Sequence, residues 1–313
     1  MIRIEQYTPV RQAAWDDLIE HSKSPMFMFK RGFMEYHADR FQDFSLLFFN
    51  EKDELLAVLP ASRHGDEVRS HGGLTYGGFF TRPEAKQHHI NECVSALAAY
   101  LKQKGITRLL YKSVPYIYFQ LPAEEYLWPL LQQGAQLSRT DIASVIDLQN
   151  PLKIVKGRKA QANRAKREGV TIAPSEDYET FIRLENEVLQ SRHHTTAVHS
   201  AEELKLLKTR FPQNIALWTA QYQGEVIAGA LVFIYPNAVH TQYLAANEKA
   251  REIGGLDYLI KTLMEHYAAD KRWFDFGIST EQAGAVFNDG LCAQKEGFGA
   301  RSVAYNFYQW EIK

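Results

Sequence analysis

In the segment NDGLCAQKEGFGA, from Asn288 to Ala300, glycines and aromatics surround a single lysine, Lys295. A cation among packing residues is either a solvated helix residue or a fixed charge that stabilises an oxyanion as it develops. Asp275 lies between Phe274 and Phe276 in the apolar run RWFDFGIS. A carboxylate there is either paired, with Arg272 or Arg301 as the cations in view, or raised in pKa and suited to general-base work. The junction NEKAREIGGLDYL sets Arg251, Gly254 and Gly255 between a strand and a helix, where glycines let backbone N–H groups approach an anion. The same glycines also permit an ordinary turn into a helix. From Lys153 to Arg167 there are seven basic residues and no acid. On a helix, Lys156, Lys159, Asn163, Lys166 and Arg167 share an arc of roughly 100°. Such a stripe, with Arg164 beside it, suits the phosphates of a substrate or co-substrate. No aromatics interleave, so base stacking is not expected. His193, His194 and His199 have no Cys, Asp or Glu at a metal-ligand spacing, and no metal site is expected. GGLTYGGFF lacks a phosphate-loop pattern and reads as a tight turn, with Tyr76 at the edge of a substrate cleft.

The elements that must position these residues occur twice. DFSLLFFNEKDELLAVLPAS and IALWTAQYQGEVIAGALVF each read as a hairpin, turning at Asn50–Asp53 and at Gln223-Gly224. A further strand follows each, EVRSHGG and AVHTQYLAAN. Each half then has a glycine loop and an amphipathic helix, one with Ile90, Val94, Leu97, Ala98 and Leu101, the other with Leu256, Leu259, Ile260, Leu263, Met264 and Tyr267. A buried strand follows, TRLLYKSV or RWFDFGIS, then a short helix, a glycine and a closing strand. Glu54 corresponds to Glu225 and Gly134 to Gly297. The order of elements predicts two similar α+β halves with mixed sheets, residues 1–150 and 151–313. The second half opens with the basic helix, 153–168, which ends at Gly169 as a C-cap. SAEE at Ser200 is a capping box that starts another helix.

The 313 residues suit two domains, and 45% hydrophobic with 23% charged residues is ordinary for a soluble globular protein. With 36 basic and 37 acidic side chains, no global field attracts nucleic acid, and no DNA partner is expected. The two cysteines, Cys93 and Cys292, form no disulfide framework. No apolar run is long enough to span a membrane, and a cytoplasmic location is the default expectation.

The element order resembles the GNAT acyltransferase core, and two such halves in tandem resemble the Fem-type peptidyltransferases and their relatives, which include acyltransferases of cell-surface polysaccharide clusters. RKAQANRAKREGV resembles that family's basic helix, RWFDFGIS its Asp-Phe-Gly strand end, and NDGLCAQKEGFGA its Gly-Leu-x-x-x-Lys-x-x-Phe-Gly signature. Two GNAT-like subdomains facing a central cleft are the fold the resemblance implies. It implies Arg192, in LQSRHH, as a contact to substrate phosphate or carboxylate, and Tyr243, in HTQYLAAN, as a substrate-facing aromatic. It sets Lys295 on a short helix facing the cleft, as an electrostatic stabiliser. NEKAREIGGLDYL is similar to the acyl-CoA pyrophosphate loop, with Arg251 and Gly254 matching and Leu256 departing from it. The family's N-terminal cationic contact has Lys30, Arg31 and Arg40 near its expected place.

The function implied is transfer of an acetyl or aminoacyl group from an activated donor to a primary amine on a small or cell-envelope-precursor substrate. Acyl-CoA is the expected co-substrate, with no cofactor bound tightly. Aminoacyl-tRNA is the alternative donor, which the absence of the long helical hairpin of tRNA-using relatives disfavours. A non-catalytic double GNAT fold that binds a phosphorylated ligand is the third reading. The first half has LLQQGAQL where the second has its lysine, so the repeated frame does not require the cation. That asymmetry marks Lys295 as functional and Gly297, Phe298 and Gly299 as structural.

Overall fold

The computed structural model describes residues 2–193 and 195–313 and, of Arg192 and His193, the backbone alone. The chain divides into two compact units, Met1–Asp141 with Ala304–Lys313, and Ile142–Val303. The strand Arg301–Glu311, which the sequence assigns to the second half, therefore gives most of its length to the first unit. Its residues Phe307–Glu311 pair antiparallel with Arg108–Lys112. The physical reason is apolar: Tyr308 and Trp310 are buried in one cluster with Leu109 and Tyr111.

The first unit holds an antiparallel sheet in the order Arg3–Gln6, Leu46–Phe49, Leu55–Leu59, Phe80–Thr81. The expected hairpin is its centre. Beyond Leu59 the chain passes Pro60, which has no N–H for a ladder, and joins a different set of strands. There Ser62–His64 pairs with Glu67–Arg69, which runs parallel to Arg108–Lys112. The helix Gln87–Gln103 buries Ile90, Val94, Leu97 and Leu101, as their spacing requires.

In the second unit the elements are β1 (Gln136–Asp147, its residues from 142 onward), α1 (Lys156–Arg167), β2 (Thr171–Ser175), α2 (Tyr178–His193), α3 (Ala201–Arg210), β3 (Ile215–Tyr222), β4 (Glu225–Ile234), β5 (Ala238–Ala246), α4 (Glu248–Ile253), α5 (Gly255–Tyr267), β6 (Trp273–Ile278) and α6 (Asp289–Glu296). The sheet order is β2-β3-β4-β5-β6-β1. β4 is apolar almost throughout and buried on both faces. One face packs on α5, through Val239, Phe274, Phe276, Leu259 and Leu263. On the other, the Phe181 ring of α2 lies over Gly229.

β5 and β6 are the parallel pair, and their register runs only from Ala238 opposite Trp273 to His240 opposite Asp275. Beyond that point β5 continues beside β4 to Ala246, while β6 shifts its register against β1 between Asp275 and Ile278. The two strands part there, and the candidate site lies at the parting.

Candidate functional site

Lys295 sits in the last turn of α6, a helix started by the Asn288 side chain, which accepts from the Leu291 N–H at 2.9 Å. The lysine is only 7% exposed. Its Nζ donates to Gly277 O at 3.0 Å, Ile278 O at 2.6 Å and Ser279 Oγ at 3.1 Å. Burial pulls its pKa down to about 8, against the nearby Asp275 charge, which holds it up. The ammonium is thus a fixed, partly desolvated charge at the end of β6. The following Phe298 is core, and the left-handed residue is Gly299 rather than the helix-capping Gly297.

Asp275 has no exposed surface. Its Oδ2 meets His240 Nδ1 at 2.8 Å, and its Oδ1 accepts from the Gly277 N–H at 2.7 Å. The expected arginines bond elsewhere, Arg272 to Asp147 and Arg301 to the Ala300 carbonyl. The carboxylate is therefore paired, as one of its two sequence readings has it, but with a histidine in place of the expected arginine. What it holds is His240.

A pocket of about 350 Å³ opens where β5 and β6 separate. Leu244 and Phe276 come from the two strands, Val188 from α2, and Lys295, Arg251 and Arg158 add three cations to its wall. Arg158 pairs with Asp257 at 3.1 Å, and Arg251 donates to the Ala246 carbonyl at 2.9 Å. Burial raises the Asp257 pKa, and Arg158 opposes the rise.

The glycine junction is placed differently from its expected use. Gly254 has φ +82°, and a Cβ there would lie 2.4 Å from the Gln161 carbonyl oxygen of α1. Gly255 is buried against Ile227. The close approach that Gly254 permits is made by the basic helix. Asp257 adds a carboxylate to the first turn of α5, where the helix dipole already favours a negative charge.

On α1, Ala162 and Ala165 face inward, and Arg164 ties the helix down through Glu168 and the Glu252 carbonyl. Lys153, Lys156, Lys159, Lys166 and Arg167 are exposed, and none has an ion-pair partner among the described residues. Of the expected substrate residues, Tyr243 bonds His199 Nδ1 through its hydroxyl at 2.7 Å. The Arg192 side chain and His194 lie outside the described residues. Tyr76 is not at a surface: it is buried in the first unit, its hydroxyl 2.8 Å from Tyr118 Oη and 3.4 Å from Tyr305 Oη. The nearby buried Lys112 donates to the Leu74 carbonyl and ties the same loop in place. Lys30 pairs with Glu20. Arg31 is buried against Asp43 and stacked 3.6 Å over Tyr7, a packing role, while Arg40 is exposed. Among the described residues no three metal-ligating side chains gather, and no helix is long and apolar enough to cross a membrane.

The sequence reading misses His240, Ser279 and Glu185. The signal for His240 is a polar residue in an apolar strand, but its partner is set only by strand register. Glu185 of α2 is 6% exposed, its Oε2 has no hydrogen-bond partner among the described residues, and burial raises its pKa to about 7. The folded state keeps this proton to higher pH than the unfolded chain. Its neutral form therefore contributes stability that is full below the ordinary glutamate range and lost as pH rises through about 7. Glu185→Gln is expected to remove that slope and to be the more stable protein at pH 8, by roughly 3 kcal/mol. Thermal melts at pH 4.5 and 8 check this, and equal pH slopes in both proteins would exclude it.

Residues 153–283 match the acetyltransferase (GNAT) domain family. No curated protein matches the chain. Among solved structures, FemX is similar with a TM-score of 0.70 at 10% identity, over 99% of this chain and 97% of that one. L-PGS from Bacillus licheniformis is similar at 0.65 and 15% identity, over 99% and 93%. A tandem GNAT protein from the clavulanic acid biosynthesis pathway is similar at 0.55 and 12% identity, over 100% and 99%. The fold is that of the tandem-GNAT, Fem-like proteins.

Proposed function

We propose that this chain, with a GNAT acyltransferase domain in a Fem-like tandem fold, moves an acetyl or aminoacyl group from an activated donor to a primary amine on a small or envelope-precursor substrate. The observation that carries the reading is Lys295: a buried ammonium, fixed by three acceptors, on the wall of a pocket that opens between two parting strands. Acyl transfer to an amine passes through a tetrahedral oxyanion, and a preorganised cation in a site with little water stabilises it. The longest of the three Lys295 bonds goes to Ser279 Oγ, which has Ser144 Oγ 3.4 Å away as a second neighbour. The developing oxyanion takes that place on the ammonium, and Ser279 turns to Ser144.

Acyl-CoA is the first donor class. Its phosphates would rest on the exposed cations of α1 and on Arg251 and Arg158, since Gln161 fills the space beside Gly254. That filling, with Asp257 at the start of α5, favours as a second reading a donor whose phosphates lie outside the pocket, as those of an aminoacyl-tRNA would. Reversing three charges, Lys159→Glu, Lys166→Glu and Arg167→Glu, is expected to weaken the donor at least tenfold, with the melting temperature little changed. Binding titrations at two salt concentrations separate the donors. Affinity for tRNA falls steeply with salt, because many counterions are released, whereas CoA shows a shallow slope. Donor affinity unaltered by the triple reversal would remove the basic helix from the reading.

A further inference from the structure

In the second unit, strand alternation sends neighbouring side chains of β5 and β6 to opposite faces. Val239, Phe274 and Phe276 point into the core beneath α5. His240 and Asp275 therefore point to the other face, the one α2 covers. They are also the last residues at which the two strands pair. The pocket beside Lys295 is lined by Val188 of α2 as well as by Leu256 and Ile260 of α5, and His240 lies just outside that lining.

His240 is held in one orientation. Its Nδ1 bonds Asp275 Oδ2 at 2.8 Å, and Asp275 is itself pinned by the Gly277 N–H. A carboxylate on Nδ1 stabilises the tautomer with the proton on that nitrogen and leaves a lone pair on Nε2. Nε2 makes no hydrogen bond among the described residues, and the ring keeps a small exposed surface. Gly277 makes room for it. At φ +72°, a Cβ on residue 277 would stand 3.2 Å from His240 Cε1. The same residue's carbonyl accepts from Lys295 at 3.0 Å.

We propose that His240 is the general base that takes the acceptor's proton, and that Asp275 is its positioning residue. The proposal rests on the acyl-transfer reading and adds to it that the acceptor meets the acyl carbon from the α2 face. The amine nitrogen attacks the acyl carbon and forms the new C–N bond. The carbonyl electron pair moves onto oxygen, which Lys295 meets, and the N–H proton passes to Nε2. On collapse the bond from carbon to the donor's sulfur or oxygen breaks, and that atom leaves with the proton from Nε2. Asp275 thus serves both groups, orienting the base directly and the cation through Gly277.

The test has two arms. The first uses whichever donor in a panel of acyl-CoAs and aminoacyl-tRNAs the wild-type protein accepts. His240→Gln is expected to lower kcat by about a hundredfold with the donor KM nearly unchanged. Asp275→Asn is expected to lower it about tenfold or more by permitting the wrong tautomer. Added imidazole should restore turnover to His240→Ala and not to Asp275→Asn. A His240→Gln rate within about twofold of wild type overturns the base assignment and leaves the acyl-transfer reading standing. The second arm needs no substrate: in NMR of histidine-labelled protein, the neutral His240 ring should show Nε2 unprotonated, and Asp275→Asn should shift the tautomer. A protonated Nε2 in the neutral wild-type ring overturns the proposal. Should the wild type transfer from no donor in the panel, the acyl-transfer reading fails by itself, and the tautomer decides whether the pair is poised as a base.

Discussion

Lys295→Ala is expected to lower turnover by about 10²–10³-fold while the donor KM changes little, the pattern of a group that acts mainly in the transition state. The role needs the ammonium form. Burial brings the Lys295 pKa down to about 8, so wild-type turnover is expected to decline as pH rises through about 8, and the residual activity of the alanine variant should lack that limb. Removal of the side chain also deprives two main-chain carbonyls and Ser279 of a donor, which costs about 1–3 kcal/mol if water does not replace it. Lys295→Arg separates the two effects. It keeps a charge and its donors but cannot lose its proton in this range, so any activity it retains should have no alkaline limb at the same pH. Rates measured across pH for the three proteins, beside their melting curves, decide the matter. Undiminished turnover in Lys295→Ala would return the lysine to a packing role.

Gly254→Ala is expected to destabilise the second unit by roughly 2–4 kcal/mol. Two effects add. The left-handed backbone at φ +82° disfavours any side chain, and the new Cβ would stand 2.4 Å from the main-chain oxygen of Gln161. Because the obstacle is backbone, relief requires α1 to move away from the start of α5. Gly169→Ala is the control, with φ +88° and open space around the added carbon. It should cost only about 1 kcal/mol. The comparison also bears on the donor. A glycine kept for phosphate approach would give a raised donor KM with an unchanged melting temperature, and that outcome would return Gly254 to the cofactor site.

Local signals in the sequence account well for the elements of the second unit. The hairpin at Gln223-Gly224, the apolar stripe of α5, the Ser200–Glu203 capping box and the basic helix ending at Gly169 all depend on residues a few positions apart, and all are present. What local reading leaves out is set by register between distant segments. Asp275 suggests an arginine because Arg272 is close in sequence, yet the parallel pairing of β5 with β6 places His240 directly opposite. Gly254 suggests a phosphate because such junctions often bind one, yet nothing in the loop itself records that α1 comes to rest there. Tyr76 has the composition of a surface turn around it, but its hydroxyl meets those of Tyr118 and Tyr305, the second of them far along the chain. Lys295 stands out as a candidate because the corresponding helix of the first half lacks it, a comparison internal to the chain.

The strand Arg301–Glu311 has a consequence for the order in which the protein can be made. Arg108 and its partner Glu311 are 203 residues apart, and the whole of the second unit is encoded between the two parts of the first. During synthesis the second unit, a continuous stretch, can close its core while residues 304–313 have yet to appear. The first unit must hold Leu109 and Tyr111 without the Tyr308 and Trp310 that pack against them, so apolar surface stays exposed in that interval. The half translated first is the half finished last.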